Sequence, residues 1–346
     1  MSEQDAVAFD VRIGHYSDSK GFSSPPASEA LQRRPAADGL TWLALTVRDE
    51  ATAREVLTDR FRFHPVAIDD ALSDTERPGL YIGEDYVFAT VSVVTGEGDA
   101  LRYTHLGLFV CPSCLVSVTM LGSSFVNEWF DRWRAHPADV GKTSDMLLSE
   151  IIDAAIDDYF PALDRIQDEL NRLEEGVYRG LRPDVSTAIR LRRRLLEMRR
   201  QVTPIRDVLN GMLRRDSPVI RRETWTYLQD CYDHTLRVLE GIDLNRDILT
   251  SIMDAQLSVT SNRLNEVMRN MTSIATILMM MTLVTSIYGM NFKHMPELEW
   301  QNGYFLVLGS LLVIGVGGIA VASKVGWFTI KWPWRPVRNR RPKPGR

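Results

Sequence analysis

Tyr288-Gly289-Met290-Asn291-Phe292-Lys293-His294-Met295-Pro296-Glu297-Leu298 lies between the only two apolar runs long enough to cross a bilayer. Met271 to Met290 and Tyr304 to Ser323 carry no charged residue. About 20 apolar residues span a hydrocarbon core roughly 30 Å thick. The chain is therefore expected to end in a membrane hairpin with a tight connection. Charge orients it. Lys324 to Arg346 holds eight Lys or Arg and no Asp or Glu. Arg263 and Arg269 precede the first run, while the connection sets Lys293 against Glu297 and Glu299. The positive-inside rule then puts both termini in the cytoplasm and the loop outside. Trp327, Trp332 and Trp334 suit an interfacial belt. The basic tail also suits contact with anionic lipid headgroups.

One helical hairpin cannot enclose water, so a pore requires several copies, and closed cyclic symmetry is the usual solution. Asn265, Met268, Thr272, Ala275, Met279, Thr282 and Ser286 recur at steps of three or four. They form a polar, small or thioether stripe on one helix face. Ile274, Ile277 and Leu283 are expected opposite. Small and hydroxyl residues also serve ordinary helix packing in membranes, so the stripe alone leaves both uses open. No proline interrupts Val219 to Tyr288. At 1.5 Å per residue such a helix is roughly 100 Å long, too long for a compact domain. It reads as a stalk that becomes the first span; two helices broken near Gly241 is the alternative.

The expected architecture is an α+β cytoplasmic domain, a long stalk helix and a two-helix transmembrane hairpin. The boundaries are residues 1–140 for the α/β domain, 141–217 for a helical hairpin, 218–290 for stalk and first span, 291–303 for the loop, 304–323 for the second span and 324–346 for the tail. Residues 1 to about 38, rich in Ser, Pro, Ala and Gly, read as loosely ordered at the start, and the mixed, polar stretch from Met1 to Asp10 does not read as a signal sequence, leaving insertion to the hairpin. Leu40–Val47, Tyr86–Val94, Leu101–Val110 and Cys114–Met120 read as strands, with helices near Ala51–Leu57 and Ala67–Leu72. Thr143–Tyr178 reads as one acidic helix and Val185–Arg215 as a basic one. Cys111-Pro112-Ser113-Cys114 reads as a hairpin turn rather than half a zinc site or a redox pair, since no second Cys-x-x-Cys accompanies it and Cys231 is distant. No phosphate-binding loop and no nucleophile–base arrangement appears, so neither ATP-driven work nor an enzyme is expected. Nothing calls for nucleic acid.

The Gly289-Met290-Asn291 triplet closing the first of two C-terminal spans resembles the mark of the CorA family of divalent-cation channels. Ser261-Asn262-Arg263-Leu264-Asn265-Glu266-Val267-Met268 leads into the span as that family's long helix does. Ile274-Ala275-Thr276-Ile277 keeps its spacing, and Met295-Pro296-Glu297-Leu298 looks like the magnesium and cobalt branch rather than the zinc one. His64-Pro65, Asp69-Asp70, Arg77-Pro78 and Asp153-Ala154-Ala155-Ile156-Asp157-Asp158-Tyr159-Phe160 are similar to its soluble domain.

The resemblance implies a CorA-like funnel, a homopentamer in the inner membrane, and potential-driven influx of Mg2+, with Co2+ and possible Ni2+ as further cargo. It makes the Asn265–Ser286 stripe pore-lining and Gly289, Met290 and Asn291 a selectivity filter. Mg2+ sheds water slowly and keeps octahedral geometry. A ring of Asn291 carbonyls can hold its waters without stripping them, Gly289 freeing the helix to end there. Glu297 would draw cations to the mouth. Lys293, where many relatives are acidic, and Met280, where several have proline, depart from the pattern. Met268, Met271, Leu278 and Met279 offer an apolar constriction that closes by dewetting. Regulatory Mg2+ is implied between subunits at Asp70 and Asp254, with Asp69, Asp153 and Asp230 resembling a second cluster. Two other readings stand: a zinc transporter of the same fold, and a membrane-anchored oligomeric scaffold.

Overall fold

The computed structural model describes residues 9–26, 39–73, 78–96, 101–120, 124–179, 185–214, 217, 219–291 and 300–327. The chain divides into two compact units, residues 1–253 and 254–346, each described by itself.

The first unit is built on a sheet in the order β2-β1-β3-β7-β6-β5-β4. Its strands are β1 (Phe9–Ser17), β2 (Gly21–Ser23), β3 (Leu40–Val47), β4 (Leu80–Ile82), β5 (Val87–Thr95), β6 (Arg102–Cys111) and β7 (Cys114–Thr119). Only β3 and β7 pair in parallel; the other pairs are antiparallel. Side chains alternate between the two faces along each strand, and both faces are covered. Trp42, Val87, Val91, Leu106 and Leu108 face one core. It is closed by α3 (Ser124–Ala135), α5 (Ser144–Asp157), α6 (Tyr159–Tyr178), α7 (Val185–Arg214) and the start of α8 (Trp225–Tyr288). Leu43, Leu45, Phe88, Phe109 and Val116 face the other, under α1 (Glu50–Asp59) and α2 (Pro65–Ala71). A short α4 (Pro137–Val140) follows α3.

Three expectations change. The segment expected to be loosely ordered contains β1, which pairs with β3 from Phe9↔Val47 to Tyr16↔Leu40. The acidic helix is two helices, α5 and α6, meeting at Asp158. Pro161 is the reason: it has no N–H for the Asp157 carbonyl, and its ring clashes with that group. The stalk starts later than expected, after a 3-10 turn at Arg222–Thr224, and runs through Gly241 unbroken. Acidic and basic arms do meet: Arg194 donates to Glu169 at 2.7 Å.

Asp145, 1% exposed, ties α5 to the start of the stalk. Its Oδ2 accepts from the Arg221 backbone N–H at 3.0 Å, Arg221 Nε at 3.0 Å and the Thr224 hydroxyl at 2.7 Å. Its Oδ1 accepts from Arg221 Nη2 at 3.0 Å, the Thr143 hydroxyl at 2.7 Å and the Met146 N–H at 3.1 Å. A buried charge is tolerable only when paired and hydrogen-bonded in this way.

In the second unit the last part of α8 packs on α9 (Gly303–Lys324). Both helices are long and apolar enough to cross a membrane. The seam on α8 is Ser273, Ile277, Met281, Val284 and Tyr288, the partly or fully covered positions of that stretch. On α9 small residues let the backbones approach. A Cβ on Gly318 would lie 2.8 Å from Ile277 Cγ1. Ile277 is β-branched and cannot swing aside. Gly318→Val is therefore expected to destabilise the hairpin by about 1–3 kcal/mol, read as a lower melting temperature in detergent. Ile277→Ala in the same chain should restore most of it. An unchanged melting temperature for Gly318→Val would mean the helices do not meet there.

Candidate functional site

The stripe read from the sequence lies away from the seam. At 100° per residue, Ala275 and Met279 stand nearly opposite Ile277. Asn265, Met268, Thr272, Ala275, Met279, Thr282 and Ser286 are all exposed in the single chain. The expected apolar side is corrected: Ile277 is in the seam, while Ile274 and Leu283 flank it and remain exposed. Of the constriction residues, Met268 and Met279 belong to the stripe; Met271 and Leu278 lie on one flank, also exposed.

Two of the stripe's hydroxyls have a fixed polarity. Thr272 Oγ1 donates to the Met268 carbonyl at 2.9 Å and Thr282 Oγ1 to the Leu278 carbonyl at 2.8 Å. Their protons are used within the helix, so lone pairs face outward. A hydrated cation presents hydrogens on its outer surface and needs such acceptors.

The helix closes at Tyr288. The Gly289 N–H is shared between the Thr285 carbonyl at 3.0 Å and the Ser286 carbonyl at 3.2 Å, and Met290 N–H reaches Ile287 O at 3.3 Å. Gly289 does not adopt a positive φ. The expectation that it ends the helix through glycine's conformational freedom is therefore not met; the tightened last turn does that work. Met290 and Asn291 follow, exposed. Lys293 and Glu297 lie outside the described residues, as do Arg77 and the tail from residue 328.

The sequence-read acidic residues of the first unit fall into two places. Asp69 and Asp70 ride on α2, whose first turn is held by His64: its Nδ1 accepts from the Val66 N–H at 3.3 Å, and Pro65 opens the helix. Asp69 accepts from Arg54, which also pairs with Glu50 at 3.2 Å. The Asp69 bond raises the Arg54 guanidinium pKa. Asp70 is half-buried. Asp254 belongs to the second unit, exposed on α8.

Asp153 on α5 and Asp230 on α8 converge on a residue the sequence reading missed, His234. Its Nδ1 lies 2.9 Å from Asp153 Oδ1 and 3.7 Å from Asp157 Oδ1; its Nε2 lies 3.7 Å from Asp230 Oδ1. Burial and the Asp157 carboxylate push the Asp153 carboxyl up, against the pull of His234. Glu150 is raised too, by burial and by Asp153. Asp153, Asp157 and His234 present ligand atoms close enough to share one ion. Oxygen donors suit Mg2+, whereas an imidazole suits Co2+, Ni2+ or Zn2+. The signal was two i,i+4 pairs, Asp153/Asp157 and Asp230/His234, on separate helices. Asp69 is not in this group.

A sequence profile for CorA-like Mg2+ transporter proteins matches residues 37–323. A cobalt/magnesium transport protein CorA of Thermotoga maritima is 33% identical over 328 residues, covering 92% of this chain and 93% of that protein. A putative metal ion transporter, YfjQ, of Bacillus subtilis is 33% identical over 285 residues, 81% of this chain and 88% of its own. Among solved structures, the complete CorA magnesium transporter of Methanocaldococcus jannaschii superposes with a TM-score of 0.79 at 21% identity, over 92% of this chain and 98% of that one.

Proposed function

Because the chain belongs to the CorA-like Mg2+ transporter family, we propose that it forms a homopentameric channel in the inner membrane. Mg2+ and Co2+, with Ni2+ as a further candidate, enter down the membrane potential. That potential is worth about 2.3 kcal/mol per charge per 100 mV, and roughly twice that for a divalent ion. The observation that carries this reading is the exposed acceptor stripe from Asn265 to Ser286, opposite the hairpin seam and leading to Asn291. Copies arranged about an axis bring these stripes together around water and Asn291 into a ring at the outer mouth. Gly289 and Met290 complete that filter, and Glu297 adds negative potential outside it. Both termini are cytoplasmic in this orientation.

Closure is assigned to intracellular Mg2+ held between neighbouring copies by Asp70 and Asp254. A divalent ion cancels the repulsion of facing carboxylates, and its loss lets the copies separate. Asp153 and Asp230, with Asp157 and His234, form a second regulatory cluster. Asp69, engaged by Arg54, joins it only if that pair opens.

Liposome uptake tests the proposal. With a negative interior, purified wild-type protein is expected to take up Mg2+ and Co2+. Millimolar Mg2+ on the side of the soluble unit should slow uptake severalfold, since a ligand shifts the population toward the state it binds. Asp254→Lys supplies a fixed cation in place of the ion, and its activity should barely respond to that Mg2+. Inhibition equal to wild type would move the regulatory site elsewhere. Uptake of Zn2+ alone would select the zinc transporter, and no uptake by assembled protein would leave the scaffold.

A further inference from the structure

Cys111 and Cys114 are register partners at the end of the β6–β7 hairpin, separated only by Pro112 and Ser113. Directly opposed residues point to the same face of a sheet. Here that face is the one under α1 and α2, with Cys111 packed against its core. Antiparallel partners place their Cα atoms roughly 4.5–5.5 Å apart, within the range of about 4.4–6.8 Å that a disulfide spans. Among described residues other than glycine only Arg62 has a positive φ. Pro112 and Ser113 therefore form a turn without the left-handed residue that types II, I′ and II′ need. Proline presets the first corner, so the two thiols are held together before any bond forms. Neither is in a disulfide here. Cys114 is 4% exposed and Cys111 is half-buried. Both line a cavity of about 540 Å³ shared with Phe63, His64, Tyr81 and Tyr86.

We propose that Cys111 and Cys114 are a thiol modification site that closes reversibly as an intramolecular disulfide, with a small-molecule disulfide as oxidant. The more exposed Cys111 sulfur attacks one sulfur of that disulfide and releases one small thiol. Cys114 then attacks the Cys111 sulfur and releases the second. One S–S bond forms in the protein and one breaks in the oxidant. Two electrons pass to the oxidant, and the two cysteine protons end on the two thiols released. Excess small thiol runs the steps backward, as reducing compartments require.

The state of this pair has a short route to α2. Phe109, two residues before Cys111 on the same face, stacks on Phe63 with ring centres 4.0 Å apart. The Tyr86 hydroxyl accepts the His64 backbone N–H at 2.7 Å. His64 caps the helix that carries Asp69 and Asp70. Closing the hairpin end is expected to rigidify this route. The disulfide chemistry stands apart from the proposed regulation at Asp70; the one consequence for gating, a change in Mg2+ inhibition of uptake on oxidation, rests on it.

The test uses the full chain in detergent, equilibrated across glutathione mixtures from fully reducing to fully oxidising. The expected product is lighter than the reduced chain by two hydrogens. Reactive thiols under denaturing conditions should fall from the three cysteines of the sequence to one, and a digest should place the link between Cys111 and Cys114. Amide exchange across Pro65–Ala71 should slow severalfold on oxidation and return with excess thiol. Cys114→Ser should show neither change. A stable glutathione adduct at Cys111 as the end product would overturn the proposal. So would three persistent thiols at every mixture, or a pair blocked by a metal and freed only by chelator. A disulfide with unchanged exchange at α2 would remove the route to α2. Normal Mg2+ inhibition of uptake in both redox states, with the disulfide formed, would remove only the consequence for gating.

Discussion

Asn291→Ala is expected to reduce Mg2+ uptake in liposomes to the level of protein-free vesicles, while the protein elutes as the same assembly as wild type. Asn291 is exposed one residue beyond the tightened last turn of α8, so its side chain is not needed to hold the helix. Its amide oxygen is the acceptor that can hold the first-shell waters of Mg2+, an ion that dehydrates reluctantly. Alanine removes that acceptor and leaves the backbone alone. Asn291→Asp should fail differently. Repeated by symmetry it makes a charged ring, which attracts the ion more strongly but releases it more slowly, and conduction needs both entry and exit. Saturation at lower Mg2+ with a lower maximal rate would identify that outcome. Full transport by an assembled Asn291→Ala protein would remove the selectivity ring and favour the scaffold.

Asp145→Ala is expected to destabilise the first unit by about 1–3 kcal/mol, the cost of leaving buried donors unsatisfied. The substitution removes the carboxylate that accepts from the Arg221 N–H and guanidinium and from the Thr224 hydroxyl, leaving the guanidinium only the Thr143 hydroxyl. It leaves the guanidinium without its anionic partner at a half-exposed site and the Thr224 hydroxyl fully buried. Asp145→Asn keeps the shape and some acceptors and should lose less. Chemical denaturation followed by tryptophan emission reads both. The same carboxylate makes the fold acid-sensitive. Burial acts to raise the Asp145 pKa, but hydrogen bonds from Arg221, Thr143 and Thr224 outweigh it and hold it below the ordinary value of 3.8. A depressed folded-state pKa contributes stability above the unfolded value, and this is lost as pH falls through the folded one. Wild-type stability should therefore drop below about pH 4, and Asp145→Ala should lack this part of the drop. Equal stability of wild type and Asp145→Ala at neutral pH would show that the network carries no net stabilisation.

The strands of the sheet interior were legible because Leu40–Val47 and its neighbours are short runs rich in apolar, β-branched and aromatic residues bounded by turn residues. Strand β1 carries the same signal in Val11 and Ile13 between Asp10, Arg12 and Gly14. The surrounding Ser, Pro and Ala obscured it, and its pairing with β3 is a long-range event that local composition does not report. The break at Asp158 was readable from Pro161, had proline's effect on the preceding turn been weighed over the continuous apolar stripe. The exposed stripe from Asn265 to Ser286 was legible because 3.6-residue periodicity marks one face of a helix. Which residues face α9 was not, since Ile274, Ile277 and Leu283 are chemically alike and only packing separates them. His234 escaped for another reason. Its one local signal is the i,i+4 pairing with Asp230, and its meaning comes from Asp153 and Asp157, more than seventy residues earlier.

The division of α8 into a seam and an opposite acceptor face also bears on how the protein survives its own synthesis. A newly inserted single copy packs Ile277 and Met281 against α9, yet turns Thr272, Thr282 and Ser286 toward hydrocarbon. Lipid offers those groups no hydrogen bonds. The apolar flanks at Ile274, Leu278 and Leu283 are content there; the stripe is not. The solitary subunit is thus the least comfortable species in the bilayer, and in the proposed assembly sister copies would relieve it before any ion is carried. Orphaned subunits would be recognisable to membrane quality control by the same face that, in the proposed assembly, touches water.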